Sequence, residues 1–327
     1  MLTEPADLDS ATLVRLLERH WGLRDVALEF LPLGFGSHHW RAGDRFVTVD
    51  DLTAGHQAVP DADSAFAALD RAYRTAAVLR DEAELDFVIA PLPDAQGAVL
   101  RRLSERYAVS VLPFIDGESS EWGPYETADE RRLMSTVLGR LHAATRDVPP
   151  GLPRTEDFAI PSRGALEHAL LDLKRPWTTG PFAEPARRAL GETAISVERR
   201  LREYDELVAA ARADFDAWVI THGEPHRANV VRGPNRHRYL VDWDTTLVAP
   251  RERDLYMVLD DERTGWDEYT VVLPAELNAD MIRLYRRWWE LADIAVFIHF
   301  FRHPHEQSEQ SAASWRILDH NLAAHDD

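Results

Sequence analysis

The chain has 327 residues, with 45% hydrophobic and 28% charged residues, which is ordinary globular composition, and a formal net charge of −19. This length suits two lobes or domains, the acidity argues against nucleic acid or anionic membranes as partners, and the absence of cysteine excludes disulfides, thiol nucleophiles and Cys-ligated zinc. No apolar run approaches the roughly 18 residues of a membrane span. The acidic start lacks the features of a signal peptide, so we expect a cytoplasmic protein. The composition favours a cationic small molecule as a partner and leaves the oligomeric state open.

The first third of the chain predicts a sheet with two helices. Ser10 is the expected N-cap of an amphipathic helix that runs to Gly22. Alternating apolar residues and Gly-containing turns predict strands within residues 27–52, 87–93 and 98–117, with a turn at Gln96–Gly97, and a long helix over residues 61–84.

The rest of the chain predicts mainly helices, over residues 129–144, 163–175, 185–212, 275–303 and 309–324. Two short strands, Trp218–Ile220 and Arg238–Asp242, interrupt them. The predicted organisation is an α+β lobe over residues 1–115, a hinge near Leu112–Gly117, and a larger helical lobe over residues 116–327. We expect the second lobe to hold the catalytic loop, a metal site and acceptor-binding helices.

The stretch from Thr221 to Asp244 concentrates polar residues suited to phosphate chemistry. Asp242 and Asp244 alternate on the predicted strand and are therefore expected to face the same side. Asn229 comes 13 residues before Asp242, and Glu224 comes five residues before Asn229. Carboxylate and amide oxygens are ligands that Mg²⁺ prefers and shares with phosphates, and a remaining carboxylate can accept a proton from an attacking hydroxyl.

This stretch, read as HGExxxxN…DWD, resembles the HGDxxxxN motif of aminoglycoside phosphotransferases and their choline-kinase-like relatives. VDWDTTLVAPRERDL is most similar to the spectinomycin-kinase branch, LGRLHAAT resembles a helix of the family, and VSVLPFIDGES resembles its hinge. The resemblance spans residues 31–260, approximately. It implies a bilobal protein-kinase-like fold, with a small antiparallel-sheet lobe and a larger helical lobe. It also implies transfer of the γ-phosphoryl group of ATP (or GTP) to a hydroxyl of a small polar acceptor, such as an aminoglycoside or aminocyclitol, with Mg²⁺ as cofactor.

The same resemblance implies roles for individual residues. Asn229 and Asp242 would bind magnesium, Glu224 would occupy the place of the catalytic base, and Asp254 would brace the loop. The expected nucleotide-binding residues are those of the Gly turn and the hinge: Gly34, Gly36, Ser37, Leu112, Phe114 and Ile115.

Two positions depart from the family pattern. The base is usually Asp, and the longer Glu224 moves its carboxylate by roughly 1 Å, a displacement that can cost about 10²-fold in rate. Thr48 stands where the family normally places a lysine, and the one lysine of the chain is Lys174. An arginine such as Arg41, Arg45 or Arg80 is one replacement for the lost charge, and a cation held by Asp50 and Asp51 is another.

The histidines favour structural roles. We predict that His38 and His39 are turn and surface residues, and that His222 packs inside its loop, whereas His226 shares the turn with Glu224. Residues 260–268 form an acidic loop that is either simply solvated or receives a cationic substrate. Two rival functions stay open: a kinase-like binding protein that has lost turnover, and a metabolic kinase for choline, a sugar or an amino alcohol.

Overall fold

The computed structural model describes residues 3–34, 36–53, 59, 61–212 and 218–323. The chain forms two compact units, one of residues 1–156 with 217–277 and one of residues 157–216 with 278–327. This division differs from the predicted boundary at residue 115, which stays a prediction. Within the described ranges, no helix combines the length and apolar character needed to cross a membrane.

The first unit opens with a five-stranded antiparallel sheet in the order β1-β2-β3-β5-β4. Its strands are β1 (Leu28–Leu31), β2 (Ser37–Ala42), β3 (Arg45–Asp51), β4 (Arg101–Arg102) and β5 (Tyr107–Pro113). Because side chains alternate along a strand, Trp40, Val47 and Val111 face one side, where they pack against Leu13 and Leu17 of α1 (Ser10–Trp21).

The opposite face of this sheet is polar. Cross-strand pairing places Ser37 opposite Asp50, and Thr48 lies between His39 and Ser110. Thr48, Asp50 and Ser110 are all buried, although none of them joins the apolar cluster under α1. One face of the sheet therefore provides the core and the other provides a polar wall.

The remaining elements of the first unit include four α-helices and two small sheets, and three strands of these sheets belong to the stretch from Thr221 to Asp244 or lie directly before it. Its helices are α2 (Ala62–Asp81), α3 (Ala128–Ala143), α6 (Glu252–Val258) and α7 (Trp266–Val272). Two three-stranded sheets complete it, one of β10 (Arg238–Leu240), β9 (Val230–Arg232) and β6 (Glu118–Ser119), the other of β7 (Arg154–Thr155), β11 (Leu247–Ala249) and β8 (Val219–Thr221). Helix α3 and strand β8 lead toward the loop from two directions.

The second unit is helical in its described part. It contains α4 (Arg163–Leu171), α5 (Ala183–Ala211), α8 (Ala279–Phe301) and α9 (Glu309–Ala323). Arg200 of α5 is fully buried and donates to the Asn321 carbonyl at 2.9 Å, at the end of α9. This bond satisfies a carbonyl that the helix leaves unpaired at its C-terminus.

Several predicted elements are confirmed and some are wrong. The five long helices, the three strands of residues 27–52 and the turn at Gly97 are present, so the α+β class is confirmed. The N-cap of α1 is Asp9 rather than Ser10, because the Asp9 carboxylate accepts from two backbone N–H groups of the first turn. The predicted strand over 87–93 is wrong: Val88 makes one isolated bridge with Leu240.

Candidate active site

The loop after β8 begins at a glycine that its surroundings require. Gly223 has a φ of +100°, and a Cβ there would overlap the guanidinium of Arg253. That guanidinium donates to Thr221 Oγ1 at 2.9 Å and to the Thr245 carbonyl at 3.0 Å. Close packing of Arg253 against the backbone thus fixes both the identity of the glycine and the entry of the loop.

Asp254 anchors the same loop from α6. Its fully buried carboxylate accepts from the backbone N–H of His222 at 2.9 Å and of Gly223 at 2.6 Å. His142 Nε2 of α3 lies 3.0 Å from the same carboxylate. Burial acts to raise the pKa of Asp254, but the hydrogen bond and charge of His142 outweigh it and the net pKa is lowered. An ionised, fully hydrogen-bonded carboxylate therefore holds the turn.

His222 is held in a single tautomer. Its Nε2 lies 2.9 Å from the Val241 carbonyl, which can only accept, and its Nδ1 lies 3.2 Å from the Glu224 N–H, which can only donate. Nε2 therefore carries the proton and Nδ1 does not. Burial lowers the pKa of His222 to about 4, so the neutral ring links the loop to the segment that carries Asp242.

Glu224 projects from this turn beside His226 and Asn229. Its Oε2 lies 3.7 Å from His226 Nε2, and its backbone carbonyl accepts from Asn229 Nδ2 at 3.0 Å. Burial acts to raise the pKa of Glu224, but the hydrogen bond and charge of His226, with His222 and Arg253, lower it overall. Glu224 is thus held as a carboxylate, the form that can accept a proton.

Asn229 and Asp242 are brought together by the pairing of β9 with β10. Leu240 pairs with Val230, and the Val241 N–H donates to the Asn229 carbonyl at 3.0 Å. The strand ends at Leu240, so the prediction that Asp242 lies on a strand is wrong. Asp242 has a φ of +69°, which turns the chain so that Asp242 and Asp244 still interact through their side chains.

These carboxyls form an electrostatically strained group. Desolvation by the surrounding protein and the charge of Glu224 raise the pKa of Asp242 to about 6. Asp242 itself is exposed, so solvent screens part of this effect. Burial and the charges of Asp242, Glu224 and Asp50 raise the pKa of Asp244 well above its usual range. A cation placed here would relieve the repulsion.

The sheet contributes one more carboxyl to this group. Asp50 is buried on the polar wall, accepts from Ser37 Oγ at 2.6 Å, and has its pKa raised to about 7 by burial and by the charge of Asp242. Thr48 Oγ1 contacts His39 Nδ1 at 3.3 Å. The prediction that His38 and His39 are turn and surface residues is wrong, since both lie in β2 and His38 is buried.

The arginines considered as substitutes for a lysine have other partners. Arg41 lies over the Phe114 ring at 4.3 Å and donates to the Gly43 carbonyl, and Arg45 pairs with Asp44. Arg80 binds Asp81 and the Ala90 carbonyl.

Asp51 is likewise engaged, by Arg106 at 2.6 Å, and so does not join Asp50. Of these two aspartates, it is therefore Asp50 that interacts with Asp242 and Asp244.

The expected nucleotide-binding residues lie along the same sheet. Gly34 and Gly36 have φ values of +64° and +95°, which favour glycine. Ser37 is committed to Asp50, Leu112 pairs with Phe46 in β5, and the Phe114 N–H donates to the Asp44 carbonyl at 3.1 Å. Phe114 can thus offer a nucleotide its carbonyl or ring but not its N–H, and Ile115 follows directly after it.

The oxygen donors suit magnesium, but the chain alone does not form a cage. In the part of the chain that the structure describes, no group of three or more His, Asp or Glu side chains is arranged to hold a metal ion. The Asn229 amide nitrogen is used by the loop, which leaves its oxygen as the group able to bind a cation. One amide and one carboxylate beside excess negative charge fit an ion that takes its other ligands from water and phosphate.

The acidic loop over 260–268 is largely engaged within the unit. Asp260 lies 3.3 Å from Arg131, and Glu268 lies 3.4 Å from Arg132. Thr264 N–H also donates to Asp260 at 2.8 Å. The interpretation of this loop as a receiver of cationic substrate therefore gains no support from its contacts.

Sequence reasoning missed three contributors to the site, Trp122, His142 and Arg253, and it considered Asp50 only together with Asp51 as the holder of a cation. The signal for Asp50 was present, because Thr48 and Asp50 alternate on a strand and must share a face. Trp122 is 67% exposed and lies edge-on to His226, with ring centroids 6.3 Å apart. No local sequence pattern predicts the contacts of His142 and Arg253, because each contact joins residues more than 30 positions apart in the chain.

Comparison with known proteins places these residues in a family context. A model described as the phosphotransferase enzyme family matches residues 32–299. Protein StrN of Streptomyces griseus is 28% identical over 346 residues, covering 98% of this chain and 96% of StrN.

Solved structures share the fold. A spectinomycin phosphotransferase in complex with ADP and spectinomycin matches with a TM-score of 0.71 and 17% identity, over 96% of this chain and 94% of its own. Choline kinase LicA of Streptococcus pneumoniae matches with a TM-score of 0.51 and 14% identity, over 96% and 98%. The predicted kinase-like fold and family resemblance are confirmed.

Proposed function

Because this chain belongs to the phosphotransferase enzyme family, we propose that it is a small-molecule kinase. It transfers the γ-phosphoryl group of ATP, or GTP, to a hydroxyl of a polar and cationic acceptor of the aminoglycoside or aminocyclitol class. The net charge of −19 and the carboxyl-rich site favour a cationic acceptor over an anionic one.

The observation that carries the proposal is the position of Glu224 beside Asn229 and Asp242. Glu224 accepts the proton of the acceptor hydroxyl as that oxygen bonds to the γ-phosphorus. The bond between the γ-phosphorus and the bridging oxygen breaks, and the nucleoside diphosphate leaves with that electron pair. Such transfer depends mainly on positioning and charge stabilisation, and the fixed loop provides the positioning.

Asn229 and Asp242 are the residues that would hold Mg²⁺. When bound, the ion would neutralise phosphate charge that this cleft, lacking the family lysine, leaves uncompensated. The raised pKa of Asp242 supports this assignment, because the residue faces other carboxyls and gains from a neighbouring cation.

A second candidate is a kinase-like binding protein without turnover. Asp50 favours it, since a buried carboxyl lies on the sheet face where the family lysine would serve the phosphates. Repulsion between Asp50 and the phosphates would weaken nucleotide binding unless a cation intervenes. The metabolic kinase for choline, a sugar or an amino alcohol differs from the favoured function only in its acceptor.

The decisive experiment measures ATP consumption and acceptor phosphorylation with and without Mg²⁺, over a panel containing spectinomycin, choline and neutral sugars. Wild type should phosphorylate a cationic acceptor, Glu224→Gln should not, and the exposed Glu262→Gln should behave as wild type. Identical background hydrolysis by wild type and Glu224→Gln with every acceptor would favour the binding protein.

A further inference from the structure

Trp122 is an exposed aromatic residue with no evident role in the core. Its exposed fraction is 67%, whereas the exposed fractions of Trp40 and Trp243 are 2% and 1%. It lies in the loop between β6 and α3, and neighbouring Glu121 is exposed as well. Single exposed hydrophobic side chains are common on protein surfaces, so the residues that adjoin Trp122 decide whether it marks a site.

The loop that carries Trp122 is clamped to the catalytic loop. Tyr125 is buried and its hydroxyl donates to the Pro225 carbonyl at 2.7 Å. Arg227 pairs with Glu126 and lies 3.5 Å from the Pro124 carbonyl. These bonds hold the residues directly after Trp122 against the residues directly after Glu224.

The clamp places the indole beside the proposed base. The Trp122 and His226 rings are 6.3 Å apart at an angle of 67°, and His226 Nε2 lies 3.7 Å from Glu224 Oε2. A single imidazole thus separates the indole from the carboxylate that meets the acceptor hydroxyl. His226 Nδ1 is buried and, among the described residues, has no hydrogen-bond partner, which leaves one polar group unsatisfied beside this surface.

The segment that carries Trp122 is acidic, although Arg227 of the neighbouring loop interacts electrostatically with both Glu126 and Glu121. Residues 116–130 contain six carboxylates and no lysine or arginine: Asp116, Glu118, Glu121, Glu126, Asp129 and Glu130. Glu126 is used by Arg227, and Asp129 is paired with Arg132 at 3.2 Å. Glu121, which precedes Trp122 in the chain, is exposed. An open indole face with an adjacent carboxylate is an arrangement that attracts organic cations.

We propose that Trp122 and Glu121 form a subsite for the protonated amino or quaternary ammonium group of the acceptor. The cation would lie over the indole face while its hydroxyl reaches Glu224. The inference rests on the proposed function, since it assigns the acceptor to the same loop. It names Trp122 as a specificity-determining residue rather than one that takes part in the chemical step.

The first test is a binding experiment that needs no turnover. The full chain labelled with 5-fluorotryptophan has ten indoles, and the ¹⁹F resonance that disappears in Trp122→Phe identifies Trp122. Choline and spectinomycin should shift that resonance, whereas 3,3-dimethyl-1-butanol, the neutral isostere of choline, should leave it in place. A Trp122 resonance that ignores both cations while other indoles respond would overturn the subsite.

The second test separates binding from chemistry. Trp122→Leu should raise KM for the cationic acceptor by about 3- to 30-fold, the range expected for loss of a cation–π contact, with KM for ATP and kcat little changed. Trp122→Phe should retain part of the affinity, and Glu121→Gln should weaken binding where the matched Asp129→Asn does not. Unchanged KM in Trp122→Leu and Glu121→Gln would overturn the proposal.

These outcomes also separate failure of the subsite from failure of the proposed function. A shifted Trp122 resonance without any phosphorylated product would support the subsite and count against the kinase. Turnover with an unaffected Trp122 would do the reverse.

Discussion

The catalytic loop and the sheet wall contribute carboxyls to one electrostatic group, yet they match the family to different degrees. On the loop, Gly223, Asn229 and Asp242 match the motif by which the sequence resembles the family, and Arg253 and Asp254 fix the start of the loop by short hydrogen bonds. On the sheet, Thr48 stands where the resemblance leads us to expect a lysine, and Asp50 on the same face is a buried carboxyl. The loop thus keeps the residues that we propose to position the acceptor and the metal, while the sheet lacks the lysine that the resemblance assigns to phosphate binding.

The two tasks of a phosphotransferase site, positioning the reactants and binding phosphate, therefore depend on different kinds of structure. Positioning depends on a backbone turn fixed by many bonds, which changes only if several residues change together. Phosphate affinity depends on single side chains on a strand, where one substitution inverts the charge without disturbing the sheet.

The largest expected effect lies on the loop side. Glu224→Gln keeps the shape of the side chain but removes the proton acceptor, so kcat should fall by about 10²–10⁴-fold with little change in Mg-ATP affinity. Glu224→Asp sharpens the test: if the loop is adapted to the longer side chain, Asp should be slower than Glu. Turnover that appears only in Glu224→Asp would show that Glu224 does not act as a base in the wild-type protein. Steady-state kinetics on both variants decides.

The brace of the loop should matter for folding as much as for activity. Asp254→Ala leaves two backbone N–H groups and His142 without their shared acceptor, and should lower the free energy of unfolding by about 3 kcal/mol. Urea denaturation measures this, with the exposed Asp319→Ala as the control that should stay within about 0.5 kcal/mol of wild type. Equal effects of the two substitutions would contradict the bracing role.

On the sheet side, Asp50 should make stability fall as pH rises. Its folded pKa, about 7, lies above its unfolded value, so its contribution is fully present below pH 4, approximately, and is lost as pH rises through 7. Asp50→Asn should remove about 2 kcal/mol of the loss between pH 5 and pH 8.

Adjacent Asp51 is the matched control. Hydrogen bonds and charge from Arg106 and Thr53 outweigh burial and lower the pKa of Asp51, so its contribution is lost only at acidic pH. Asp51→Asn should therefore leave the change between pH 5 and pH 8 as in wild type. Thermal unfolding at the two pH values would refute the account if both variants behaved alike.

On the sheet side we also expect a gain of nucleotide affinity. Thr48→Lys restores a cation on the polar wall, and a charge-assisted hydrogen bond of about 1.5–3 kcal/mol corresponds to roughly 10- to 100-fold tighter binding of Mg-ATP. Thr48→Met is the control, because methionine is about as long as lysine but uncharged. Comparing the two variants separates the effect of charge from that of side-chain bulk. Unchanged or weaker binding by the lysine variant would mean that another group already serves the phosphates.

Much of the fold followed from the sequence because its signals are local. Apolar periodicity located the long helices to within a few residues, and Gly-containing turns located the strands of residues 27–52. Local signals failed where tertiary contacts decide: the run over 87–93 has strand composition, yet it makes a single bridge through Val88.

The candidate site was predictable in its residues and less so in its geometry. Spacing and resemblance selected Glu224, Asn229 and Asp242, but they did not predict the left-handed conformation of Asp242, which Asp adopts more readily than most residues. The role of Trp122 depends on what lies opposite it in space, and sequence position carries no such information.

The most direct test of the contrast between loop and sheet is calorimetric titration of ATP, with and without Mg²⁺, into wild type and Asp242→Ala. Thermal unfolding should first show that the variant is folded. If the altered sheet leaves phosphate binding to a metal at Asn229 and Asp242, wild type binds ATP only with Mg²⁺, and Asp242→Ala abolishes that binding. Unchanged Mg-ATP affinity in Asp242→Ala, or equal binding of metal-free ATP by wild type, would contradict the account.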